Sequence, residues 1–261
     1  MEQIISRKPV FDAVRIILGR GFTQTEVEML DRALDRALSA DTPPSPGAGR
    51  RLGRLSARFE SGGRGPGAVS SGRGDPGGVS YGIYQLSSRA GTAAAFVAAE
   101  GARWRDDFAG AAAGSDAFTR AWKAIAARDP EDFADAQHAF IERTHYRPAV
   151  SAVLRRTGLD LDGRHPAVRD ATWSVAVQHG GAAGILAGAV DGADAVLPRE
   201  NDGFDRCLVE AIYARRTDYV LRLAARSRGG ARRTLENVAR NRYPAELAAA
   251  LAMFEDAVED G

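Results

Sequence analysis

Apolar residues recur at helical spacing along most of this chain. Phe11, Val14, Ile17 and Leu18 form one stripe, broken by Gly19 and Gly21. Thr23-Gln24-Thr25-Glu26 then has the spacing of a capping box, flanked by Phe22 and Val27 at the positions of a hydrophobic staple. Val27, Leu30, Leu34 and Leu38 share the next face, so residues 1–40 are expected to form a helical-hairpin appendage. The stretch "DTPPSPGAGR", residues 41–50, cannot continue a helix and reads as a Pro/Gly linker. The main domain is expected over 51–261.

Within that domain Leu52, Leu55, Ser56 and Phe59 fall at i, i+3, i+4 and i+7, predicting a short helix that ends at Glu60 before Gly62 and Gly63. The pattern then changes period. Ala68-Val69-Ser70 and the run Val79 to Leu86, with Val79, Tyr81 and Ile83 on one face, predict a small sheet or hairpin among glycine turns. From residue 91 the helical period returns. Phe133, Phe140, Ile141 and Thr144 make one stripe. Val168, Ala171, Thr172, Val175 and His179 make another, begun by Pro166 and ended by Gly180-Gly181. Leu208, Ile212, Arg215 and Tyr219 suggest a third, and a last helix is expected from about Pro244 to the end. The predicted class is mainly α, a helical domain with one small β-hairpin lobe.

Composition narrows the chemistry. The 261 residues carry a net charge of +1, with 44% hydrophobic and 26% charged residues, an ordinary globular balance with no bulk field for nucleic acid. Only Lys8 and Lys123 are lysines, so the basic residues are almost all arginine. Cys207 stands alone, which excludes an internal disulfide and a CxxC site. His138, His145, His165 and His179 show no paired ligand spacing, so neither a metal nor another cofactor is expected. No signal-peptide core or apolar span interrupts the sequence, so stable membrane insertion is not expected.

Two acids then stand out. Nine of the 29 glycines lie between Gly62 and Gly82, and the carboxylates of residues 58–86 are Glu60 and Asp75. Glu60 is placed at a helix C-terminus beside Phe59, where carbonyl dipoles disfavour an anion by about 0.3–1 kcal/mol and burial acts in the same direction. Its pKa is expected to rise, as a general acid requires. Asp75, on a turn with Pro76 and four nearby glycines, is expected to stay ionised. Carboxylates driven apart in this way suit glycoside hydrolysis. Glycines let backbone approach a polysaccharide. Tyr81 and Tyr84 can stack on sugar faces, and Gln85 can bond hydroxyl or N-acetyl groups. The plainer alternative is a solvated loop, with both tyrosines packed as core residues of a hairpin.

The segment "FESGG…GAVSSGRGDPGGVSYGIYQLSS" resembles the lysozyme-superfamily peptidoglycan hydrolases of phage endolysins and of C-terminal extensions of type VI secretion spike proteins (VgrG), relatives of the inverting chitosanases. "ERTHYRPAV" (142–150) and "WSVAVQHGG" (173–181) resemble later segments of that family, so the likeness spans roughly residues 51–200. The resemblance implies an α+β lysozyme-like fold whose hairpin lobe forms a sugar cleft. It assigns Glu60 as general acid, Asp75 as base and Ser80 as the residue that helps hold the attacking water. "YGIYQL" resembles the strand lining the sugar cleft in goose-type lysozymes.

The implied reaction is muramidase cleavage of the β-1,4 link between N-acetylmuramic acid and N-acetylglucosamine. Inversion would need the two carboxyls roughly 6.5–9.5 Å apart. A start methionine without a spike domain favours the endolysin branch. That branch implies a monomer made in the host cytoplasm, acting on peptidoglycan strands after holin-dependent export. A lytic transglycosylase, a chitosanase and a non-catalytic wall-binding module are the alternatives. His179, Trp173 and Gln178 are expected to pack rather than react, and Glu142 and Asp170 to be helix-surface acids. The basic run Arg215, Arg216, Arg222, Arg226, Arg228, Arg232 and Arg233 reads as a solvated face, or as a contact for anionic envelope polymers or the carboxylates of peptide stems.

Overall fold

The computed structural model describes residues 52–53, 65–72 and 77–255, all within one compact unit bounded as Leu52–Gly261. The expected appendage, linker and helix ending at Glu60 lie outside the described residues, apart from Leu52 and Gly53, and so does Asp75.

The described chain is mainly helical, with a small β lobe at its start. β1 (Ser80–Tyr81) pairs antiparallel with β2 (Leu86–Ser87), with Ser80 opposite Ser87 and Tyr81 opposite Leu86. Val69 adds a third rung by an antiparallel bridge to Tyr81. The expected strand from Val79 to Leu86 is thus folded back on itself. Gly82 (φ 73°) and Gln85 (φ 54°) both take left-handed backbone, which ends the strand after Tyr81 and starts the return.

The helices follow: α1 (Thr92–Ala98), a 3₁₀ turn (Ala102–Phe108), α2 (Asp116–Arg128), α3 (Pro130–Ile141), α4 (Arg147–Thr157), α5 (Pro166–Gln178), α6 (Ala182–Asp194), α7 (Phe204–Arg226), α8 (Gly229–Asn237) and α9 (Tyr243–Ala252). Ser115 caps α2 by accepting the Phe118 N–H, as a serine N-cap should. Wide π turns join α3 to α4 (Glu142–Tyr146) and α8 to α9 (Val238–Arg242). Each runs into a proline, Pro148 or Pro244, at the start of the following helix. Proline has no N–H to give to the carbonyl four residues back, so the ladder loosens there by a residue.

One aromatic core fills the first half. Trp122 touches Tyr81, Phe96, Phe118 and Phe133 at ring separations of 5.2, 5.4, 6.0 and 4.8 Å. α5 lies at the centre. Every residue from Ala167 to Ala176 except Arg169 is buried, so this helix has almost no solvent face. α6 and α7 pack beside it and α9 closes over its C-terminal end.

Candidate functional site

The glycine-rich segment is held to the helices by a few directed bonds. The Pro66 carbonyl accepts two protons, from Trp122 Nε1 at 2.8 Å on α2 and from Gln137 Nε2 at 3.1 Å on α3. Gln137 is fully buried, and its Oε1 accepts the Ile83 N–H at 3.0 Å. One amide side chain therefore fixes both the incoming arm at Pro66 and the hairpin turn at Ile83. The sheet supplies the rest: Ser70 N–H donates to the Ser80 carbonyl at 2.9 Å, Ser80 N–H to Ser70 Oγ at 2.8 Å, and Gly82 N–H to the Ala68 carbonyl at 2.7 Å. Gly72 has φ 64°, and a Cβ there would lie 2.8 Å from the Val79 amide nitrogen. The arms on either side of residues 73–76 thus touch, with no room for a side chain between them.

Of the expected site residues, Ser80, Tyr81, Tyr84 and Gln85 are described. Ser80 is 8% exposed on β1. Tyr81 requires a correction. It is fully buried, its ring edge-on to Phe118 at 5.0 Å and against Trp122, and its hydroxyl bonds Thr119 Oγ1 at 2.9 Å and accepts the Gly114 N–H at 3.1 Å. No ring face is open to a sugar. Tyr81 is the anchor that pins the hairpin into the aromatic core.

Tyr84 is half-buried and turns the other way. Its hydroxyl bonds His138 Nδ1 at 2.8 Å, and its ring stands edge-on to Trp173. His138 in turn stacks on Trp173, with centroids 4.3 Å apart and planes within 11°. Gln85 Nε2 donates to the Gly82 carbonyl at 3.0 Å, closing the strained turn. Trp173 packs, as expected, and joins the hairpin to α5.

The structure also reveals residues that sequence reasoning misplaced. Asp170 is buried rather than superficial, and its Oδ1 accepts the Gly53 N–H at 2.6 Å. Gly53 lies flat on Trp173: a Cβ there would be 2.4 Å from the indole nitrogen. Asp170 and Trp173 together therefore fix the start of the segment that leads toward Glu60. Their spacing on α5 carried no hint of this, because the partner lies 117 residues earlier. Glu142 is a surface acid as expected, paired with Arg147 at 2.6 Å.

Arg216 departs from the solvated face predicted for the basic run. It is fully buried and donates to Glu246 Oε2 at 2.9 Å, also inaccessible to solvent. Arg216 Nη2 donates to Gln178 Oε1, as does the Tyr243 hydroxyl at 3.0 Å. Ser174 Oγ, the Tyr213 hydroxyl and Arg242 Nε complete the Glu246 carboxylate at 3.3, 3.4 and 2.6 Å. His179 Nε2 meets the Tyr243 hydroxyl at 3.1 Å; since that hydroxyl's proton goes to Gln178, the imidazole proton sits on Nε2. Burial, then the charges of Arg216 and Arg242, push the His179 pKa down to about 4. It is a neutral, satisfied core histidine. Among the described residues no cluster of three or more His, Cys, Asp or Glu has the geometry of a metal site, and no helix is long and apolar enough to cross a membrane.

Residues 52–242 match the family described as "Type VI secretion system spike protein VgrG3-like, C-terminal". The chain belongs to this family. It is also 40% identical, over 141 residues, to the type VI secretion system spike protein VgrG3 of Vibrio cholerae serotype O1. That alignment covers 54% of this chain and 14% of the relative, so the chain spans a small fraction of the spike protein it resembles. The matched range of the VgrG3-like family includes Glu60, Asp75 and every hairpin residue described above. Both likenesses point to the secretion spike rather than to a phage endolysin, and the endolysin branch has no support from them.

Proposed function

We propose that this VgrG3-like chain is a peptidoglycan hydrolase that cleaves the β-1,4 bond between N-acetylmuramic acid and N-acetylglucosamine by inverting acid/base catalysis. The observation that carries the reading is the family match over residues 52–242, which contains the two lone carboxylates of a glycine-rich segment in a mainly α chain with a small β lobe. The clamps at Pro66, Ile83 and Gly53 support it, because a catalytic pair on long glycine-rich arms needs its anchor points held.

In this reading Glu60 gives its proton to the bridging oxygen as the bond to the anomeric carbon breaks. Asp75 takes a proton from a water that attacks the opposite face, with Ser80 holding that water. Each turnover consumes one water and leaves a new reducing end. Tyr84 and Gln85, half-buried at the hairpin turn, are the candidate sugar contacts. Delivery as part of, or beside, a secretion spike replaces holin-dependent export.

Digestion of purified sacculi by wild type and Glu60→Gln, with fragments read by mass spectrometry, tests this. Hydrated reducing ends from wild type alone support the hydrolase. Ends one water lighter would make it a lytic transglycosylase, turnover confined to deacetylated glycan a chitosanase, and tight binding without fragments a wall-binding module.

A further inference from the structure

α6 and α7 form a second feature away from the hairpin. Gly181, Gly184 and Gly188 line one wall of a shallow groove of about 220 Å³, and Arg215, Tyr219 and Arg222 line the other. The α7 residues lie at i, i+4 and i+7, so they share one helix face.

The glycines are not there for packing. A Cβ on Gly184 would meet nothing within 4 Å, and one on Gly188 would sit 3.8 Å from Arg215 Nε, an ordinary contact. One on Gly181 would lie 3.6 Å from the Tyr219 ring and hydroxyl. Gly188 stands in the interior of a helix, where glycine is markedly worse than alanine, and Gly184 stands in its first turn. None of the three has positive φ. At Gly188 the fold therefore gives up helix stability to keep this wall bare, and neither packing nor backbone geometry returns it.

The opposite wall is charged and unpaired. Among the described residues neither Arg215 nor Arg222 forms an ion pair or hydrogen bond, although Asp218 lies between them on the same helix. Arg216, their neighbour, spends its charge inside on Glu246. Tyr219, between Arg215 and Arg222 on the same face, stands edge-on to the His179 ring, 5.3 Å between centroids.

We propose that this groove binds the carboxylate-bearing stem peptides of the wall glycan, with Arg215 and Arg222 taking the carboxylates and an extended peptide backbone lying on Gly184 and Gly188. Guanidinium forks match carboxylates bidentately, and bare helix backbone admits a chain that a methyl group would hold off. The proposal rests on the wall-directed reading above and adds a contact for the part of the substrate that is not sugar.

The test is cosedimentation of the full chain with purified sacculi on ice, over a salt titration, beside sacculi stripped of stem peptides by an amidase. Wild type should bind the intact wall about ten times more tightly than the stripped wall, and the preference should fade with salt. Arg215→Gln with Arg222→Gln should abolish the preference. Gly184→Ala with Gly188→Ala should abolish it too, while raising the melting temperature by a few degrees. That opposition of sign would not arise from a purely structural wall. Equal binding to both walls by wild type, or an undiminished preference in the arginine variant, overturns the proposal. Fragment release from the same sacculi at 37 °C is read separately, so failure of the hydrolase reading is seen as absent fragments, whatever the binding preference.

Discussion

Gln137 lies against Gly82 so closely that a Cβ on the glycine would stand 2.1 Å from Gln137 Oε1. The amide is fully buried and bonds both Pro66 and Ile83. Gln137→Ala leaves the part-buried Pro66 carbonyl short of one donor and the Ile83 N–H without its acceptor. It should destabilise the protein by about 2–4 kcal/mol. Gly82→Ala should cost at least as much, because φ 73° and the clash act together. Urea unfolding measures both, and an unchanged midpoint for Gln137→Ala would refute the clamp.

The Arg216–Glu246 pair has no solvent exposure. Removing Glu246 strands the Arg216 charge inside, and removing Arg216 leaves the buried carboxylate with Arg242 as its one cation. Arg216→Met or Glu246→Leu alone should therefore lose about 3–5 kcal/mol, whereas the double substitution should recover much of the loss. A double-mutant cycle by chemical denaturation checks this, and additive losses would contradict it.

His179 makes stability depend on pH. Its pKa is lowered from an ordinary 6.5 to about 4 in the fold, so the unfolded chain takes up a proton more readily. Its contribution is fully present above pH 6.5, declines as pH falls toward 4 and is flat below. The loss across that window should approach about 3 kcal/mol. His179→Gln should flatten that part of the stability profile; an unaltered slope would show that another group titrates there.

The proposed acid/base course needs both carboxylates. Glu60→Gln and Asp75→Asn should each lower the rate of wall digestion by about 10²–10⁴ without altering the melting temperature much. Tyr81→Phe should instead weaken the fold while sparing the rate per folded molecule, because its hydroxyl serves Thr119 and Gly114. Turbidity decay normalised to folded protein distinguishes them.

Much of this fold was legible in local pattern. The stripe from Val168 to His179, begun by Pro166 and ended by glycines, corresponds to α5, Pro166–Gln178, and the change to a two-residue period marked the β lobe. The helix bearing Leu208 and Ile212 was visible as well, but its face was mis-phased. Arg215 and Tyr219 border the groove, while Arg216 and Val220 continue the buried stripe. Periodicity weighs an arginine as polar and cannot see that Glu246 waits 30 residues away. Asp170 was misread for the same reason. Tyr81 and Tyr84, three residues apart on one hairpin, have opposite surroundings, and only the turn at Gly82 decides which is interior.

With neighbours on nearly every side, α5 has almost no wet flank on which a substitution could be absorbed. Its middle grips the β lobe through Trp173, and its end reaches the carboxy-terminal helix through Gln178 and His179. A lesion anywhere on this thirteen-residue axle should be felt by both halves at once, so the unit should melt as a single event rather than shed its terminal helices first.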